Sequence, residues 1–154
     1  FPSIDGGEVS LADQQFRNKV VIVQLMGSWC PNCMDETAYL VSLYNKFQPE
    51  GLEVVSLAFE KSDKLQTNKR SLERLRGHFG IPYPLLMAGR ASKKEAAQKL
   101  PMLNHVLSFP TTIFIDRNGN VRRIHTGFSG PGTGEYYQEF VDETDDFVLR
   151  LLLE

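Results

Sequence analysis

The sequence is short of cysteine, of charge imbalance and of long apolar runs. Cysteine occurs twice and tryptophan once in 154 residues. Two cysteines cannot build the multi-bridge framework that holds a small secreted scaffold together. Lysine and arginine number 17 against 19 aspartates and glutamates, a net charge of −2. A nucleic-acid partner calls for a basic surface, so that class is set aside. No apolar run approaches the roughly 20 residues of a membrane-crossing helix. The longest, Val20 to Met26, is interrupted by Gln24. Internal repeats, low-complexity tracts and domain-dividing linkers are missing too, and the length suits one core over residues 1–154. The chain opens at Phe1, which leaves room for a signal peptide or membrane anchor ahead of it.

What is there reads as an α/β pattern. "KVVIVQLM" (Lys19–Met26) and "LEVVSLAF" (Leu52–Phe59) are β-branched apolar runs, as expected for strands buried on both faces. Between them Cys33, Thr37, Leu40, Tyr44 and Phe47 recur at helical spacing, and "PEG" ends that helix. The charged stretch from Lys61 to Phe79 predicts a surface helix, with Leu72, Leu75 and Phe79 inward. "IPYPLLMAG" allows a short extended piece. Ser92 to Leu100 predicts a helix opened by Ser92, with Glu95 three residues on. "FPTTIFID" and "VRRIHT" flank "RNGN", a hairpin signal, and a last helix runs from about Glu135 to Leu153. The early βαβ unit implies parallel strands with a right-handed crossover, and the hairpin adds antiparallel ones. The expectation is a mixed sheet with helices on both faces.

Both cysteines stand in "GSWCPNC", where a buried strand hands over to a helix. Pro31 suits the first helical position, which puts Cys30 at the N-cap. There its sulfur can accept from backbone N–H groups, and the helix dipole adds to this; both favour thiolate. Cys33, one turn in, shares the inward face and should be shielded. One exposed thiolate and one shielded thiol is the asymmetry that disulfide exchange requires. Two other readings stay open. A structural staple across a two-residue gap removes little chain entropy. A zinc site needs further ligands, and His78, His105 and His125 are widely spaced.

"VVIVQLMGSWCPNC" followed by "FPTTIFIDRNGNV" resembles the thioredoxin superfamily, and more narrowly the TlpA/ResA-like thiol–disulfide oxidoreductases. "GGEVSLADQQFRNKVVIV" is similar to that family's short N-terminal hairpin and lead-in strand. The stretch before the proline-led strand is similar to its insertion. The resemblance implies a thioredoxin-like fold and dithiol exchange with protein clients, fed by an upstream electron donor. It implies no cofactor beyond a redox-active Cys30–Cys33 pair and no metal. It also implies an extracytoplasmic, periplasmic setting and a monomer. Cys30 would attack and Cys33 resolve. Pro110 would be cis and face the pair. Phe109, Pro110 and Thr111 would receive an extended client, with Trp29 and Pro31 flanking the sulfurs. Glu36, three residues past Cys33, would lie near the pair and tune it. Beside Leu40 and Tyr44 its pKa should rise, and when ionised it would raise those of the cysteines.

Two departures from thioredoxin stand out. Gln24 holds the place of its buried aspartate, six residues before the first cysteine, and the proline lies first between the cysteines. Proton acceptance would then fall to Glu36 or to water. The alternatives to an oxidoreductase are a peroxiredoxin-like thiol peroxidase and a non-catalytic module that holds a client or a metal. The peroxidase pattern Pro-x-x-x-Thr-x-x-Cys would need threonine at Gly27 and proline at Val23. Without a "CxxCH" the chain carries no c-type haem of its own.

Overall fold

The computed structural model describes residues 1–100 and 108–154. Five strands, β1 (Val20–Met26), β2 (Leu52–Glu60), β3 (Leu85–Arg90), β4 (Thr111–Ile115) and β5 (Val121–Thr126), form one sheet in the order β3-β2-β1-β4-β5. β1 pairs in parallel with β2, and β2 with β3; β4 runs antiparallel to both β1 and β5. The helices are α1 (Pro31–Phe47), α2 (Leu65–Phe79), α3 (Lys93–Lys99) and α4 (Glu135–Leu153).

Central β1 is buried at all seven positions, so its sequence shows no alternation. Its two faces still differ. Val20, Ile22 and Met26 pack with Leu40 of α1, Leu72 of α2 and Val148 of α4. Val21, Val23 and Leu25 pack with Ala96 of α3 and with Phe16 of the lead-in segment. Each leucine-sized side chain taken out of water contributes about 1.5–3 kcal/mol, so these two layers carry the fold. Helices thus cover both faces, as the sequence pattern predicts.

α2 begins at Leu65, four residues later than the charge pattern suggests. Residues 61–64 are held in a turn instead: Ser62 Oγ accepts from Lys64 N–H at 3.1 Å, and Asn68 Nδ2 donates to Ser62 O at 2.9 Å. α3 begins where Ser92 Oγ accepts from Glu95 N–H at 3.2 Å. The Glu95 carboxylate turns to Lys99 at 3.4 Å, so only half of a capping box forms.

The lead-in segment is a hairpin reduced to one bridge, Pro2 to Glu8. Its first arm lies along the outer edge of β3: Ser3 bridges Leu86, Met87 N–H donates to Pro2 O at 2.7 Å, and Ile4 N–H to Leu85 O at 3.2 Å. At the other side of the sheet, among the described residues, nothing pairs with the outer edge of β5.

Candidate active site

β1 ends at Met26 beside Ala58 of parallel β2, and the chain then turns through Gly27–Trp29 into α1. Cys30 N–H closes that turn on Gly27 O at 3.1 Å. Gly27 is required there. A Cβ at this position would meet the Trp29 indole and stand 2.8 Å from Phe59 O. Pro31 opens α1, and Cys30 is its N-cap, with Sγ accepting from Cys33 N–H at 3.3 Å. Both cysteines are free thiols. Cys30 keeps 5% of its surface and Cys33 none. Burial, and then the hydrogen bond from Cys30, push the Cys33 thiol pKa up.

β4 enters from the opposite side. The Phe109–Pro110 bond is cis, Pro110 and Thr111 are buried, and the Cys30 thiol points at Phe109 O, 3.6 Å away. Trp29 stands 36% exposed and packs edge-on against Phe109, centroids 5.8 Å apart. These residues form a partly apolar rim around the Cys30 sulfur and leave Cys30 buried, where the sequence pattern predicts an exposed thiolate.

Beneath the first turn of α1 lies a buried polar layer. Glu36 is 1% exposed. Its Oε2 accepts from Thr112 Oγ1 at 2.8 Å, while Oε1 has no partner. Burial raises its pKa to about 7, with the Thr112 bond opposing. Gln24, on the α1 face of β1, accepts from Ser56 Oγ at 2.7 Å. Its amide donates to Thr37 Oγ1 at 3.3 Å and to Cys33 O at 3.4 Å. Gln24 therefore ties the backbone at Cys33 to β1 and β2 without adding a charge.

Among the residues weighed as zinc ligands, His78 packs edge-on against Phe79, His125 lies against Phe140, and His105 lies outside the described residues. Sequence reasoning missed Glu60, Thr112 and Lys61. Glu60 is 4% exposed, and both its oxygens face Ser28 N–H, at 3.2 and 3.3 Å. Lys61 Nζ lies 5.0 Å from the Trp29 ring centre. The parallel register of β1 with β2 would have placed Glu60 next to the cysteine turn.

A five-stranded mixed sheet, covered on both faces, with a Cys-x-x-Cys heading α1 opposite a proline-led strand, is a thioredoxin-like fold. A thiol:disulfide interchange protein of the thioredoxin family from Chlorobium tepidum TLS superposes with a TM-score of 0.74. That match covers 99% of this chain and 91% of that one at 21% identity. A thiol-disulfide isomerase from Corynebacterium glutamicum gives 0.70 over 100% and 92% at 18% identity. The AhpC/TSA family model matches residues 1–124, and the chain belongs to that family. Thiol-disulfide oxidoreductase ResA of Geobacillus thermodenitrificans is 29% identical over 124 residues, 80% of this chain and 63% of its own. ResA of Halalkalibacterium halodurans is 24% identical over 90% of this chain and 69% of its own. The chain spans about 63% of the length of the ResA proteins from the two Geobacillus strains.

Proposed function

We propose that this chain is a thiol–disulfide oxidoreductase acting on protein disulfides, with residues 1–154 working as one domain. One observation carries the reading. Cys30, the one of the two cysteines that keeps any exposed surface, sits at a helix N-cap with its Sγ 3.3 Å from the backbone N of the fully buried Cys33. The Cys30 thiolate attacks a client disulfide and expels one client sulfur as thiolate. Cys33 then loses its proton and attacks Cys30 Sγ. The second client sulfur leaves, and Cys30 and Cys33 are left as a disulfide. The client gains two electrons; an upstream dithiol donor must return them. On this reading the exchange uses no cofactor beyond the Cys30–Cys33 pair.

Phe109, Pro110 and Thr111 form the client-facing strand entry, with Trp29 and Pro31 as rim. Glu36 is the group that exchanges a proton near Cys33. On this reading the chain works as a monomer in an extracytoplasmic, periplasmic setting, where an upstream dithiol donor re-reduces it. The close packing at Gly27, where the peroxidase pattern needs threonine, favours exchange over peroxide reduction.

Trapping tests the assignment. Cys33→Ser should accumulate mixed disulfides with a peptide disulfide, seen on non-reducing gels, and Cys30→Ser should not. Turnover of Cys33→Ser at wild-type rate would overturn it.

A further inference from the structure

The cysteine turn is held from below by three consecutive residues at the end of β2. Phe59 O accepts from Trp29 Nε1–H at 2.8 Å. The Glu60 carboxylate receives Ser28 N–H on both oxygens. Lys61 places its ammonium over the Trp29 ring. The middle contact is the unusual one. A buried carboxylate is costly unless paired, and among the described residues Glu60 makes no ion pair. Its side chain is spent on one backbone N–H of the turn that delivers Cys30.

We propose that Glu60 is a positioning residue: it fixes Ser28, and through it sets the pose of Trp29 and of the Cys30 sulfur toward Phe109. Among the described residues, Ser28 N–H meets no other acceptor. With that bond gone, the turn keeps Cys30 N–H on Gly27 O but can pivot about it, and Trp29, held only through its ring by Phe59 O and Lys61, shifts against Phe109. A near-attack geometry at sulfur is sensitive to such a shift, since a misplacement of about 1 Å can cost two orders of magnitude in rate. The kinetic part rests on the exchange reading above; the structural part does not.

Trp29 is the single tryptophan, so its emission reports the turn alone. Glu60→Ala should move that emission to the red and make acrylamide quenching about twofold more efficient. It should slow exchange with a peptide disulfide about tenfold or more, chiefly in kcat. Glu60→Gln keeps a carbonyl oxygen for Ser28 N–H. It should retain wild-type emission and a rate within about threefold, a rescue that a merely bulky filler would not give. Should Glu60→Ala fail to fold, Glu60→Asp decides, because it is one methylene too short and should reproduce the red shift. Wild-type emission and rate in Glu60→Ala, or in Glu60→Asp if that is the variant that folds, would overturn the proposal. A wild-type chain without exchange activity would sink the functional reading, and the fluorescence result would still decide for or against the clamp.

Discussion

Glu36 accepts one hydrogen bond, from Thr112, and its other oxygen meets no donor. Burial therefore dominates, and its pKa stands at about 7. In an unfolded chain a glutamate titrates near 4.3. Between roughly pH 4.3 and 7 the folded chain keeps a proton that the unfolded chain has released, so stability falls as pH rises through that window and levels off above it. The full span is on the order of 3–4 kcal/mol. Glu36→Gln should flatten this slope, measured as urea midpoints at pH 5 and pH 8. Glu36 also raises the Cys33 thiol pKa by its charge, although burial and the Cys30 hydrogen bond weigh more there. Thiolate absorbance against pH should therefore rise earlier in Glu36→Gln; superimposable curves would remove Glu36 from the site. The spacing Cys33 to Glu36 was visible in the sequence, because it is local to one helix. Thr112 was not, because its position opposite Gln24 depends on β4 docking beside β1, a pairing that no local pattern spells out.

Among the elements, the strands were the most legible. β1 and β2 are apolar, β-branched and bounded by turn residues, and α4 follows directly on Gly134. The start of α2 was hidden, since charge alone does not separate a helix from the Ser62 turn before it. Arg117 was read only as a turn residue, yet it joins three segments. Its guanidinium donates to Asn18 O at 2.7 Å, to Glu50 O at 2.9 Å, and to Leu152 O at 3.0 and 3.3 Å. Gly51 next to it has φ +109, and a Cβ there would lie 2.8 Å from the guanidinium. Three carbonyls lose a charged donor in Arg117→Met. Stability should drop by roughly 2–4 kcal/mol, read from urea unfolding, while exchange per folded molecule stays unchanged because the site lies at the other end of β1. A loss below about 0.5 kcal/mol would show that water replaces the guanidinium freely.

For the molecule as a whole, the two sides of the sheet are finished differently. The β3 side is paired by the chain's own Pro2–Ile4 arm. Among the described residues nothing pairs with the β5 side, and its exposed face carries Val121 and Ile124, 40% and 43% exposed. Between them stand Arg122, bonded to Asp116 at 3.1 Å, and Arg123, stacked 3.8 Å over the Phe147 ring. Charges on an unpaired strand are a common guard against strand addition. Replacing both, as Arg122→Thr with Arg123→Val, leaves "VTVIHT", an uncharged β-prone hexamer with no proline. Light scattering should then grow with protein concentration and fall on adding arginine; a double variant that stays monodisperse at millimolar concentration would refute this. The consequence reaches past folding into formulation. With a net charge of only −2, this protein has little long-range repulsion to keep its copies apart, so its colloidal lifetime rests on two guanidinium groups along one strand.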